Sequence, residues 1–241
     1  MIYAGILAGG KGTRMGRTEL PKQFLTIGNK PIIIHTVEQF LISNKIDKIV
    51  IGTNENWRSY TEDIFNKYYP NNDKIIIING GKTRNETIVN ICKYAQENSP
   101  NEINYVVTHD AVRPFITQRI IKDNVEAIMK ENVDAVDTVM PAFDTIVEAK
   151  DGEMINNIPI RDYMYQGQTP QTFRADELIE NYNSLSEEEK NILTDAIKIY
   201  VLKNKKAQIV RGETFNMKIT TAYDLKLANA IVKIQGEIEN D

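Results

Sequence analysis

Ile2-Tyr3-Ala4-Gly5-Ile6-Leu7-Ala8-Gly9-Gly10-Lys11-Gly12-Thr13-Arg14-Met15-Gly16 passes without a break from an apolar run into a glycine-rich turn. Residues 2–7 read as a strand. The turn that follows reads as an anion cradle, because small residues let a backbone bend tightly and bring amide N–H groups against phosphate oxygens.

Outward from this start, β-rich runs at residues 48–53, 74–79, 105–109 and 135–139 alternate with helical patterns at 31–42, 57–69, 84–97 and 117–130. Pro31 suits a first helical turn and Thr117 an N-cap. The alternation predicts an α/β fold, a Rossmann-like, mostly parallel sheet flanked by helices, with ligands beyond the carboxyl ends of its strands. After Pro141 the texture changes. Residues 145–149, the turn-forming Asp151-Gly152 and residues 154–160 predict a β-hairpin projecting from the sheet, within an arm of about 142–171. Helices are expected at 175–185 and 186–193, a strand at 208–211 and a closing helix at 222–234, with a frayed acidic end over 237–241.

The 241 residues, 41% hydrophobic and 26% charged, suit one domain over 1–241 with a sizeable core and no metal or disulfide staple. A net charge of -4 argues against a nucleic-acid partner, since affinity for a polyanion surface needs many cations. The single cysteine, Cys92, lies in a helical pattern and reads as buried filler. The apolar N-terminal stretch has no basic region before it, and no run reaches the ~20 apolar residues of a membrane span, so a cytoplasmic location without membrane attachment is expected.

Two common phosphate motifs nearly fit the opening turn and then fail. A Walker A loop needs Ser or Thr after its lysine, where Gly12 follows Lys11, and the dinucleotide fingerprint needs a glycine where Met15 stands. What remains is a glycine loop bearing Lys11 and Arg14, followed by Leu20-Pro21-Lys22-Gln23, which adds a second cation behind a stiffening proline.

The loop A-G-G-x-G-x-R-M followed by P-K-Q-F resembles the nucleotidyltransferases that activate sugars and alditols, and within them the cytidylyltransferase branch with the methylerythritol-phosphate and ribitol-phosphate enzymes. The resemblance implies that Arg14 and Lys22 stabilise charge on the α-phosphate of CTP during attack, and that Leu7, Ala8, Gly9, Gly10, Lys11 and Gly12 bind the nucleotide. Gly80-Gly81-Lys82-Thr83-Arg84-Asn85-Glu86-Thr87 brings amides and hydroxyls to a helix start. It resembles the family's cytosine and ribose segment, which implies CTP contacts from Gly81, Lys82, Thr83, Arg84, Asn85, Glu86 and Thr87.

Thr108-His109-Asp110-Ala111-Val112-Arg113-Pro114 ends a strand at the carboxyl edge and resembles the family's H-D-A-x-R-P. The resemblance implies that Asp110 lies at the nucleotide site, facing the ribose or near Mg²⁺, and His109 reads as a structural or hydrogen-bonding residue. No His or Cys spacing suggests a metal cluster. The resemblance implies Mg²⁺ held mainly by the triphosphate, with no protein residue assigned as its ligand. Near the expected hairpin, Ile158-Pro159-Ile160-Arg161 precedes the family marker T-P-Q-x-F, read here as Thr169-Pro170-Gln171-Thr172-Phe173. This implies that Arg161 binds the acceptor phosphate, within a homodimer that exchanges the arm. Gly212-Glu213-Thr214-Phe215-Asn216-Met217-Lys218-Ile219-Thr220 resembles the family's closing motif with its Gly-Glu pair reversed, and implies a catalytic role for Lys218. Asp195, before a helix, is explained by a charge at a helix N-terminus.

Matches run from Ala4 to Leu225 and imply CTP and an alditol phosphate as partners. The runs Tyr165-Gln166-Gly167-Gln168-Thr169-Pro170-Gln171 and Thr108-His109-Asp110-Ala111-Val112-Arg113-Pro114-Phe115 look closer to ribitol-phosphate enzymes, which feed teichoic-acid-type polymers. The alternatives are 2-C-methyl-D-erythritol 4-phosphate as acceptor, or a non-catalytic nucleotide-binding protein on the same scaffold.

Overall fold

A computed structural model describes residues 1–10 and 20–238, with side chains described through residue 234. Its centre is a seven-stranded sheet of order β5-β4-β1-β6-β8-β7-β9. The strands are β1 (Ile2–Ala8), β4 (Lys48–Thr53), β5 (Ile75–Asn79), β6 (Tyr105–Asp110), β7 (Ala135–Pro141), β8 (Tyr165–Arg174) and β9 (Ala207–Arg211). β8 runs against its neighbours β6 and β7, while the other pairings are parallel. A short antiparallel pair, β2 (Thr26–Ile27) and β3 (Lys30–Pro31), stands apart.

Alternation along β1 explains why both faces are covered, since successive side chains point to opposite sides. Ala4, Ile6 and Ala8 join one core with α1 (Ile32–Leu41), α2 (Arg58–Tyr68) and α4 (Gln118–Ile128) through Ile33, Val37, Phe65, Ile120 and Ile121. Tyr3 enters a second core with α3 (Arg84–Asn98), α5 (Ala175–Asn183) and α7 (Ile197–Leu202), where Ile88, Ile91, Leu178 and Tyr200 are buried. Cys92 lies in that second core, fully buried, and burial pushes its thiol pKa up, so the expectation of a filler residue holds. The short α6 (Glu187–Asn191) carries a Ser186–Glu189 capping box. α8 (Ala222–Ile238) packs Ala228 against Ile27, Ile32 and Ile219. No described helix is long and apolar enough to cross a membrane.

The first four helices and the parallel strands match the expected pattern to within two residues. The arm does not. The turn forms, with Gly152 at φ 81° and Asp151 Oδ1 accepting from Glu153 and Met154 N–H at 3.0 and 2.9 Å. The two expected hairpin strands reduce to one antiparallel bridge, Glu148 with Asn157. A two-stranded ribbon with no third layer over its apolar face is marginal, and here Met154, Ile155, Ile158 and Ile160 are exposed.

Besides the short β2–β3 pair, β8 and α7 escaped the sequence reading. β8 carries Gly167 and Pro170 among polar residues, a pattern that argues against a central strand. The β7–β8 ladder slips between Asp137 and Val139, and on the β8 side the slip spans 168–170, which include the donor-less Pro170. α7 has no side-chain cap of its own, though Asp195 Oδ1 accepts from Lys198 N–H at 3.1 Å, the helix-start role expected of it. Fraying is expected over 237–241, but residues 237 and 238 are helical, and residues 239–241 lie outside the described residues.

Candidate active site

Parallel strands aim their carboxyl ends at one edge of the sheet, and there β1, β4 and β6 open into a cleft of about 620 Å³. β1 delivers Leu7, Gly9 and Gly10 to its wall. Among the described residues, a Cβ on Gly10 would meet nothing within 4 Å, so none of them requires glycine there. Gln23 Nε2 donates to the Ala8 carbonyl at 2.7 Å, tying the end of β1 to the turn that carries buried Lys22 into the cleft.

The opposite wall is the start of α3. Thr83 caps it by accepting from Glu86 N–H at 3.1 Å, and Glu86 Oε2 accepts from Lys82 N–H at 2.7 Å. Gly81 is bound by packing, because a Cβ there would lie 2.2 Å from the Glu86 Cβ. The positive end of the helix dipole therefore faces the cleft beside Lys82 and Arg84.

Asp110 closes the floor at the end of β6, nearly buried among three cations. Lys218 Nζ lies 3.0 Å from its carboxylate, Arg113 Nε 3.2 Å and Arg84 Nε 3.7 Å. Burial alone would raise the Asp110 carboxyl, but Arg84, Lys218 and Arg113 hold it well below the usual carboxylate range. His109 bridges Thr169 Oγ1 at 2.9 Å and the Arg113 carbonyl at 3.1 Å, and burial brings it down to about 4, so the ring is neutral at pH 7 and structural.

Lys218 reaches the floor because its segment is pinned along its length. Arg113 donates to the Asn216 carbonyl at 2.8 Å, and Ile219 N–H to the Val112 carbonyl at 2.9 Å. Gln168 Nε2 donates to the Glu213 carbonyl at 2.9 Å, and Arg119 grips the Glu213 carboxylate at 2.7 and 2.9 Å. The reversed Gly212-Glu213 order is explained here, since a Cβ at Gly212 would fall 2.3 Å from Gln168 Oε1 while Glu213 is the partner of Arg119.

Of the residues expected from sequence, Leu7, Gly9, Gly10, Lys22, Gly81, Lys82, Thr83, Arg84, Thr87, Asp110 and Lys218 meet in this cleft. Ala8 and Asn85 are buried beside it, and Glu86 braces the helix start. Lys11, Gly12 and Arg14 lie outside the described residues. Arg161 does not join the cleft within this chain. It sits on the arm, more than half exposed, beside Asp162 at 3.7 Å and a shallow hollow formed with Pro141, Ala142 and Phe143. The sequence reading missed Gln23, Asn54, Ala111 and Val112 as lining residues, although each adjoins a motif or a strand end already read.

Among the described residues, no three His, Cys, Asp or Glu side chains converge as a metal cage. Asp110 is the one carboxylate among the described lining residues, and it is already paired. This donor set fits Mg²⁺ carried on a triphosphate better than a resident ion, because Mg²⁺ commonly takes one or two carboxylates plus substrate phosphates.

The 2-C-methyl-D-erythritol 4-phosphate cytidylyltransferase (IspD) family model matches residues 2–234. The 4-diphosphocytidyl-2C-methyl-D-erythritol synthase of Anaerococcus prevotii DSM 20548 is similar at 27% identity and TM-score 0.79, covering 96% of each chain. The 2-C-methyl-D-erythritol 4-phosphate cytidylyltransferase of Francisella tularensis is similar at 27% identity and TM-score 0.77, over 95% of this chain and 98% of that one. The Thermus thermophilus enzyme of the same name shares the fold at 22% identity and TM-score 0.72, over 95% of this chain and 98% of that one. With residues 2–234 matched, this chain, whose cleft opens at the carboxyl edge of the sheet, belongs to the IspD family of cytidylyltransferases and is a nucleotidyltransferase enzyme.

Proposed function

We propose that the chain transfers CMP from CTP to the phosphate of a small alditol phosphate. The observation that carries this is the meeting of Lys22, Arg84 and Lys218, from three distant segments, around open glycine backbone and a helix start. An acceptor phosphate oxygen attacks the α-phosphorus in line, the new P–O–P bond forms, and the bond to the β-phosphate breaks to release pyrophosphate. A phosphomonoester with a second pKa of about 6 is already ionised, so no general base is required. What the protein must supply is cations aimed at the charge that develops, the role assigned to Arg14, Lys22 and Lys218. Mg²⁺ bound with the triphosphate supplies further charge neutralisation.

Two acceptors are candidates. The family match and similar structures are named for 2-C-methyl-D-erythritol 4-phosphate and support that acceptor more directly, though at 27% identity or less. The likeness of residues 108–115 and 165–171 to ribitol-phosphate enzymes supports ribitol 5-phosphate, for a polymer of the teichoic-acid type. We take 2-C-methyl-D-erythritol 4-phosphate as the better supported acceptor and ribitol 5-phosphate as the second reading. Pyrophosphate release with CTP and each acceptor in turn decides it; turnover confined to the methylerythritol phosphate rejects the ribitol reading. CTP binding without turnover on either acceptor supports the non-catalytic alternative.

A homodimer completes the proposal. Eight large apolar side chains between Phe143 and Tyr165 are exposed on the arm, a concentration suited to a second copy. Arg161 lies among them, so exchange of the arm would take it to the partner's acceptor site.

A further inference from the structure

We infer that Asp137 is a positioning residue for the nucleotide, acting through the Gln171 amide to hold the Arg84 guanidinium at the cleft. The inference rests on the reading of the cleft as a CTP site. Asp137 and Gln171 face each other directly across the antiparallel β7–β8 pair, so their side chains share one face of the sheet. Gln171 Nε2 donates to Asp137 Oδ1 at 3.0 Å, and Gln171 Oε1 accepts from both terminal nitrogens of Arg84 at 3.3 Å.

A side-chain amide has one donating and one accepting end. With a carboxylate on one side and a guanidinium on the other, a single orientation satisfies both neighbours. Gln171 is almost wholly buried, so a flipped amide would set its NH₂ against Arg84 with no water to compensate. Arg84 in turn lies 3.7 Å from Asp110 and lines the cleft. The chain Asp137, Gln171, Arg84, Asp110 thus links the interior of β7 to the nucleotide wall.

The charged and hydrogen-bonding groups that face Asp137 are Gln171 of β8, Arg84 of α3, Asp195 before α7 and the Thr138 backbone. Burial, with Asp195 acting in the same sense, outweighs the others and brings the carboxyl up to about 6. Once protonated, Asp137 can donate its own hydroxyl to Gln171 Oε1, and the amide is no longer held one way.

The test is CTP affinity by calorimetry for the full chain, Asp137→Asn, Gln171→Glu and the double variant, from pH 5 to pH 8. Asp137→Asn is expected to weaken CTP binding roughly tenfold at pH 8, in line with a lost charged hydrogen bond. The ratio of wild-type to variant affinity, in which the titration of CTP cancels, is expected to shrink toward one by pH 5. The double variant is expected to regain affinity, because the introduced asparagine amide donates to the introduced carboxylate, which accepts from Arg84. A melting temperature at pH 8 no lower than wild type excludes misfolding as the cause. Equal affinity of wild type and Asp137→Asn at pH 8, or a ratio that ignores pH, overturns the inference. A wild-type protein that does not bind CTP overturns the reading of the cleft instead.

Discussion

The cleft and the arm are incomplete in opposite ways. In the cleft, Asp110, Arg113 and Lys22 are nearly buried, and Asp110 is compensated by three cations. That cluster carries more positive than negative charge, which suits the polyanion proposed for it. On the arm, apolar side chains from Tyr165 at 49% to Tyr163 at 72% stand in water around a turn whose flanking segments pair through a single antiparallel bridge. A site that must aim charge to within ångströms is built on strands and a helix start, where positions are fixed. A surface that needs only to be covered can be left loosely formed until its partner supplies the missing layer.

The sharpest way to break this comparison is to remove a cleft cation. Lys22→Ala is expected to lower turnover by about a hundredfold or more, with a smaller effect on CTP affinity, as when one donor to a developing oxyanion is lost. Steady-state rates with calorimetric CTP affinities check it, and near-normal turnover would take Lys22 out of catalysis. Next comes the arm. Ile158→Asp with Ile160→Asp puts two charges on its exposed face and is expected to give monomers by analytical ultracentrifugation. Activity should drop with the dimer, and an unaltered sedimentation profile would assign the interface elsewhere.

Arg161→Ala links the two regions and is expected to raise the acceptor KM about tenfold with CTP affinity unchanged. Mixing Arg161→Ala and Lys22→Ala subunits discriminates further. If the arm is exchanged, each mixed dimer holds one intact site and activity returns; if Arg161 serves its own chain, each site keeps one defect and nothing is regained.

What could be read from the sequence follows the same division. Gly9 and Gly10, the 80–87 segment and the Thr108–Arg113 run were legible as cleft segments because a turn suited to phosphate demands particular residue types at consecutive positions, while residues 11–19 lie outside the described residues. The relay from Asp137 through Gln171 was not, since its members are 34 residues apart and meet through strand pairing alone. β8 was hidden for a related reason. Its interior is satisfied by polar partners, with Thr169 on His109 and Asp110 and Gln171 on Arg84 and Asp137, so no apolar alternation betrays it. On the arm the turn was legible and the extent of its strands was not, since apolar alternation there predicts two full strands where one antiparallel bridge forms over an uncovered apolar face.

The smallest expected effect separates two carboxylates of the same network. Asp110, held below its ordinary value of 3.8, contributes stability that is present above that pH and is lost as pH falls through its lower native pKa. Asp137 has the opposite sign. Its native pKa of about 6 lies above the ordinary 3.8, so the folded state holds a proton that the unfolded chain releases between those values. That stabilisation is full below 3.8 and is lost as pH rises through 6. At pH 8 the ionised Asp137 is therefore a net liability, on the order of 1–3 kcal/mol. Asp137→Asn should remove it and raise the melting temperature by a few degrees at pH 8, with the gain fading below about pH 4. Melting curves across that range check the sign. A carboxylate that weakens the fold while it orients a cleft arginine is expected to make the variant more stable and a poorer CTP binder, whereas a purely structural Asp137 would make it less stable at pH 8.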